Sequence, residues 1–204
     1  MKKILCFGDS NTFGFNPADG SRYDENVRWS GRLKKLLRGR FEITEAGGNN
    51  RTAFSDNPQG DMFTGYKAIQ RYFDRHYDII ILAAGINDLQ QFYNISLEDF
   101  KNGLERFVKF VKFSAPDSQI LLLAPSKLKK CILNGYFGQL FDEISIEKSL
   151  KLDEIYKETA KECGCEILNL NDVTETSDID GLHYTKEQHG EIACAVMKFL
   201  LEFF

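Results

Sequence analysis

"ILCFGDSNTFG", residues 4–14, drives an apolar, strand-forming run straight into Gly8-Asp9-Ser10-Asn11, four turn formers in succession. A strand that stops so abruptly is either followed by a plain turn or holds up a hydroxyl at its carboxyl end. The rest of the chain decides between the two by what it brings to the same edge.

Apolar, β-rich runs recur at "KILCF" (3–7), "FEITEA" (41–46), "YDIIILAAG" (77–85), "QILLLAP" (119–125) and "CEILNL" (165–170). Several are continuous rather than alternating, as expected of strands covered on both faces. Helical patterns lie between them. From 96 to 113, Leu97, Phe100, Leu104, Phe107, Val108 and Val111 share one stripe, with Ser96 and Asp99 at capping-box spacing and "SAPD" as the breaker. The last segment sets Ile192, Ala193, Val196, Phe199, Leu200 and Phe203 on one face behind the cap pair Thr185 and Gln188. Weaker helical patterns cover about 26–38, 62–75 and 145–163. Five strands alternating with helices predict one α/β domain over residues 1–204, a parallel sheet with helices on both faces. Ligands bind such sheets outside the carboxyl ends of the strands.

The bulk properties narrow the partners. The 204 residues suit a single globular core, and a net charge of −4 offers nothing to a nucleic-acid backbone or an anionic membrane. No apolar run approaches the roughly 20 residues of a membrane helix. "MKKILCFGDS" begins with two lysines like a signal peptide, but its apolar stretch is too short and runs into the motif, so it reads as the first strand of a cytoplasmic protein. Cysteines 6, 131, 163, 165 and 194 show neither zinc-ligand spacing nor Cys-x-x-Cys, and read as reduced structural thiols.

The polar residues of interest all follow strands. After Ser10 come the paired glycines of "EAGGNNRT" (45–52), then "AAGINDL" (83–89) with Asn87 and Asp88, then "SDIDGLHYT" (177–185) with Asp180 three positions before His183. A hydroxyl, a glycine-lined backbone, an amide donor and an acid–imidazole pair are the parts of an acyl-transfer site. Serine needs a base to take its proton, imidazole works best with a carboxylate on its other nitrogen, and the oxyanion needs preorganised donors.

These four blocks, in this order over residues 7–184, resemble the SGNH hydrolases, the Gly-Asp-Ser-Leu esterase superfamily. "RYDENVRWSGRL" (22–33) and "EAGGNNRT" are similar to its small bacterial arylesterase/acyltransferase branch. The resemblance implies a flavodoxin-like three-layer α/β/α sandwich with a five-stranded parallel sheet of order 2-1-3-4-5. It implies Ser10 as nucleophile and His183 as base, with an oxyanion hole made by the Ser10 N–H, the Gly47 N–H and the Asn87 side chain. In "GGNN" the spacing to Arg51-Thr52 favours Gly47 over Gly48. Asn11 stands where the family often has leucine, which alters the polarity beside the nucleophile.

Of the other histidines, His76 precedes the third strand on the wrong side of the sheet, and His189 falls within the last helix. Asp178 rivals Asp180 as the triad acid; the Asp-x-x-His pattern of the family favours Asp180. Asp9 and Asp88 read as braces or caps, and Trp29 as a packed side chain. The connection 125–145 has no clear pattern, and its Leu128, Ile132, Phe137, Leu140 and Phe141 suit either an apolar wall beside the site or a contact between copies.

The expected function is a serine esterase that hydrolyses small, short-chain esters through an acyl-enzyme, with transfer to alcohols open to it and no metal or organic cofactor required. A carbohydrate O-acetylesterase or acyl thioesterase would use the same triad. A catalytically silent binding protein would keep only the fold. A nucleotide-binding flavodoxin-like protein would want a glycine-rich or Walker-type loop, and the sequence has neither. Homo-oligomerisation is left open.

Overall fold

The computed structural model describes every residue from Met1 to Phe204. Strands β1 (Lys2–Gly8), β2 (Phe41–Gly47), β3 (Ile79–Ala83), β4 (Gln119–Ala124) and β5 (Glu166–Asn169) form one parallel sheet of order β2-β1-β3-β4-β5. Seven helices accompany it: α1 (Ser10–Phe13), α2 (Trp29–Leu36), α3 (Gly65–Ala68), α4 (Leu97–Ser114), α5 (Glu143–Ser149), α6 (Leu152–Cys163) and α7 (Lys186–Phe203).

Strand alternation sends side chains to opposite faces, and each face has its own core. On one, Leu5, Phe7, Ile80, Leu82 and Leu122 meet Phe100, Leu104, Phe107 and Val108 of α4 and Ile155 and Tyr156 of α6. On the other, Ile4, Cys6, Ile79, Ile81, Leu121 and Leu123 meet Trp29 and Leu33 of α2 and Ile192, Ala193, Val196 and Leu200 of α7. The result is the α/β/α sandwich with the strand order that the family resemblance implies. No helix is long and apolar enough to cross a membrane.

Both expected caps are present. Ser96 accepts from the Asp99 N–H, and Thr185 and Gln188 form a reciprocal capping box. Three expectations need correction. The pattern over 145–163 is two helices, because the Ser149 hydroxyl donates to the Ile146 carbonyl and accepts the Leu128 N–H, diverting the chain at the junction. The helix expected from 26 begins at Trp29, since Asp24 holds the Asn26 N–H in a turn. Phe203 leaves the buried face and stacks on Phe199 at the surface.

What positions the site is the register. Gly8 pairs with Gly47 on one side and with Ala83 on the other, so β1, β2 and β3 end level. Their loops rise from one line, at the place where the strand order reverses direction.

Candidate active site

Gly8 makes the turn after β1 possible. A Cβ there would lie 2.2 Å from the Thr12 hydroxyl and 2.5 Å from the Ala83 carbonyl. Asp9 then caps the single turn of α1 by accepting the Asn11 N–H at 2.9 Å, and Gly14 closes it in the left-handed conformation. Ser10 is thereby held at the first helical position, nearly buried but facing a cleft. Its N–H has no partner within the turn, as befits a helix start.

The loop before α7 presents His183 from the other side. His183 Nε2 lies 2.9 Å from Ser10 Oγ, and its Nδ1 lies 2.6 Å from Asp180 Oδ2. Asp180 Oδ1 accepts the backbone N–H groups of Leu182 and His183 and the Ser177 hydroxyl. Burial raises the carboxyl, but the bond and charge of His183 and the two N–H groups outweigh it and hold Asp180 below its ordinary value. An ionised Asp180 accepts a hydrogen bond from the Nδ1–H and so fixes the proton on Nδ1, which leaves the Nε2 lone pair for the serine hydroxyl. The imidazole is flanked by the rings of Phe15, 4.2 Å away, and Phe137, 5.0 Å away. Asn11 ties the two sides together, its amide donating to the Leu182 carbonyl at 3.2 Å.

The rivals lie elsewhere. Asp178 is exposed and pairs with Lys129. His76 sits at the surface beside Asp78. His189 is fully buried, its Nδ1 accepting the Trp29 N–H, and burial pushes it down to about 3. Asp88 braces, accepting the N–H groups of Ala53, Phe54 and Ser55 and so binding the loop after β2 to the turn after β3.

The glycine pair does not reach the cleft. Gly48 spends its N–H on the Gly8 carbonyl. Gly47 lies under α1, where a Cβ would stand 2.1 Å from the Phe13 nitrogen, so close packing requires the glycine. From this loop it is Asn49 and Asn50 that line the cleft. Asn50 is left-handed, with φ 55°, and its N–H meets no acceptor in the chain. From the turn after β3, Asn87 also lines the cleft; one hydrogen of its amide goes to the Arg51 carbonyl at 3.0 Å, leaving the other free.

The cleft encloses about 200 Å³. Its apolar lining comes from Phe15, Leu182 and Tyr136, Phe137, Leu140 and Phe141 of the 125–145 connection, and its amide lining from Asn49, Asn50, Gln59 and Asn87. Leu128, Ile132 and Phe141 anchor that connection in the core. No aspartate, glutamate, lysine or arginine lines the cleft. No cluster of His, Cys, Asp and Glu is arranged to hold a metal.

Sequence patterns do not single out Asn50, Gln59 or Gln90. The only available signal for Asn50 is that asparagine, after glycine, is the residue that best tolerates a left-handed turn. Arg51, visible only as a spacing mark, is a buried anchor whose guanidinium donates to the carbonyls of Gly8, Ala46 and Met62.

The model of the GDSL-like lipase/acylhydrolase family matches residues 6–190. The native aryl esterase of M. smegmatis is 27% identical, with a TM-score of 0.91 and all of each chain covered. Est24, a carbohydrate acetylesterase from Sinorhizobium meliloti, is 26% identical, with a TM-score of 0.92 and again all of each chain covered. Among curated proteins nothing matches significantly.

Proposed function

The chain belongs to the GDSL-like lipase/acylhydrolase family and is a carboxylic ester hydrolase, and on that premise we propose that it cleaves small, neutral, short-chain esters through an acyl-enzyme on Ser10. The observation that carries this reading is the unbroken Asp180–His183–Ser10 hydrogen-bond chain, which opens on a cleft lined by free amide donors.

In the first step Ser10 Oγ bonds to the ester carbonyl carbon while its proton passes to His183 Nε2. Asp180 keeps the ring oriented and stabilises the imidazolium. The carbonyl oxygen becomes an oxyanion facing the Ser10 N–H, the Asn50 N–H and the Asn87 amide, donors typically worth a few kcal/mol each when preorganised. When the C–O bond to the alcohol breaks, His183 returns the proton to the leaving oxygen. Water, deprotonated by the same nitrogen, then releases the acid; an alcohol in its place gives acyl transfer.

The cleft volume favours a short acyl chain, and the lack of carboxylates, lysines and arginines in its lining favours neutral esters. A second reading concerns the alcohol. Several amide side chains together with aromatic ones suit a hydroxylated leaving group, in line with the likeness to Est24, a carbohydrate acetylesterase.

The test is turnover of p-nitrophenyl esters from acetate to octanoate and of peracetylated monosaccharides, with Ser10→Ala alongside and fluorophosphonate labelling of the wild type. Short-chain activity that disappears in the mutant, with the label on Ser10, is the expected result. A Ser10→Ala enzyme that still turns over would overturn the mechanism.

A further inference from the structure

Gln90 has no part in the chemistry above, yet it is only 2% exposed and lies against both outer donors of the oxyanion hole. It follows Asn87 by three positions at the end of the 3₁₀ turn Ile86–Leu89, and in such a turn residues three apart share a face. Its amide Nε2 meets Asn50 Oδ1 at 2.7 Å and Asn87 Oδ1 at 3.1 Å. One NH2 group, with two hydrogens, thus spans the two donor residues that lie outside the nucleophile turn.

We propose that Gln90 is the positioning residue of the oxyanion hole, setting the sense of the Asn87 amide and holding Asn50 in its left-handed turn. This rests on the reading of Asn87 and Asn50 as oxyanion donors. An asparagine amide has two orientations of nearly equal shape, and only one gives the cleft a hydrogen. Here Asn87 Oδ1 accepts from Gln90 and Nδ2 donates to the Arg51 carbonyl. The flipped amide would set NH2 against NH2 at Gln90 and oxygen against oxygen at Arg51. Arg51 cannot yield, because its guanidinium is fastened to the Gly8 and Ala46 carbonyls.

Asn50 is held from three directions. Its Oδ1 accepts from Gln90, its Nδ2 donates to Gln59 Oε1 at 2.7 Å, and its carbonyl accepts from Asn57 Nδ2 at 2.8 Å. These bonds keep a non-glycine residue at φ 55° and leave its N–H unspent. Without the Gln90 bridge, each donor keeps one restraint fewer and the spacing between them is no longer fixed.

The test uses Gln90→Met, which keeps the shape without the donor, together with Asn87→Ala and the double mutant. Three quantities are read on the full chain: kcat and KM for p-nitrophenyl acetate, and inhibition by a trifluoromethyl ketone, whose adduct with Ser10 carries an oxyanion. Gln90→Met should lower kcat about 10–100-fold, less than the loss of a donor itself, with KM nearly unchanged. Ketone inhibition should weaken in step with kcat/KM. The double mutant should lose clearly less than the product of the single losses, since both act on the same group.

Should Gln90→Met fail to fold, Gln90→Glu replaces it. Its activity relative to wild type should be lowest where the carboxylate is ionised and should recover as the pH falls and an O–H donor returns. Wild-type kcat in Gln90→Met, a rise in KM alone, or fully multiplicative losses would overturn the proposal. Wild-type kcat in Asn87→Ala would instead overturn the oxyanion reading beneath it, whatever Gln90→Met shows.

Discussion

Replacing Asp180 with asparagine is the sharpest test of the hydrogen-bond chain that ends at Ser10. The asparagine side chain keeps an oxygen for the N–H groups of Leu182 and His183, now held at 3.0 and 2.9 Å, so the loop retains its shape. What changes is the partner of His183 Nδ1. Where a carboxylate oxygen accepts at 2.6 Å, the variant offers an NH2 donor. The imidazole must then accept at Nδ1 and carry its proton on Nε2, aimed at Ser10 Oγ, which is the wrong tautomer for a base. The same exchange in a serine protease triad costs about 10⁴ in kcat. A loss of about 10³–10⁴, or roughly 4–5 kcal/mol of barrier, is therefore expected here. Hydrolysis of p-nitrophenyl acetate under saturating substrate measures it, with thermal unfolding to show that the variant is folded. Asp178→Asn is the internal control, since Asp178 is exposed and bonded to Lys129 rather than to the histidine. A folded Asp180→Asn enzyme that keeps more than about a tenth of kcat would refute the tautomer reasoning.

Gly47→Ala should lower Tm by several degrees, because its Cβ would stand 2.1 Å from the Phe13 nitrogen and overpacking of this kind costs about 1–3 kcal/mol. Asn50→Gly should leave Tm nearly unchanged and lower kcat by no more than about tenfold, since glycine keeps both the N–H and the left-handed turn and loses only the side-chain bonds to Gln90 and Gln59; a larger loss would show that the backbone N–H alone does not carry the donor role of Asn50. Phe137→Ala should enlarge the cleft on its apolar side and raise kcat/KM for p-nitrophenyl octanoate relative to acetate, each newly buried CH2 being worth about 0.8 kcal/mol. Burial pushes Asp9 up to about 7, against the partial relief of the Asn11 N–H and Arg51. The folded chain therefore binds more protons than the unfolded chain between an ordinary aspartate value of about 4 and a pH of about 7, and stability falls as pH rises through that window. Asp9→Asn should flatten this slope in urea unfolding at pH 5 and pH 8, by roughly 2–4 kcal/mol of pH-dependent stability; an unchanged slope would place the titration elsewhere.

The layers of the fold are legible because its central strands are continuously apolar. "IIIL" and "ILLL", short and bounded by polar or turn-forming residues, read as strands covered on both faces, and they are β3 and β4. The caps at Ser96 and Thr185 are legible because their hydrogen bonds are local. The proposed nucleophile, imidazole and acid are placed by the strand-end rule together with the family resemblance. The second-block donor is not, since it depends on which residue of "GGNN" turns left-handed after β2 has ended. Two glycines and two asparagines all tolerate that conformation. Only the packing of Gly47 beneath α1 and the use of Gly48 in the ladder leave the turn to Asn50. Gln90 is hidden for the same kind of reason: its role comes from a 3₁₀ turn and a loop about forty residues earlier, neither of which leaves a periodic trace.

Three aspartates surround the site, and their different environments show how the fold assigns charge. Asp180 receives the imidazole, two backbone N–H groups and a hydroxyl, and these outweigh its burial and keep it ionised. Asp88 receives three backbone N–H groups but no cation, and burial prevails, taking it up to about 6. Asp9 receives the Asn11 N–H and the charge of Arg51, and burial takes it further, to about 7. The order follows the depth of burial, which is least at Asp180, together with the donors each carboxyl receives, since every N–H or imidazolium that faces an oxygen favours the anion against desolvation. The consequence is chemical. Beside the imidazole the surroundings favour the anion, while at the two carboxyls that brace the turns of Ser10 and Asn87 burial favours the neutral form. Negative charge near the nucleophile would oppose the oxyanion that forms there, more strongly in a nearly dry cleft than in water. Asp9 and Asp88 thus hold the two turns by accepting backbone N–H groups, and their burial works against the negative charge that would oppose such an oxyanion.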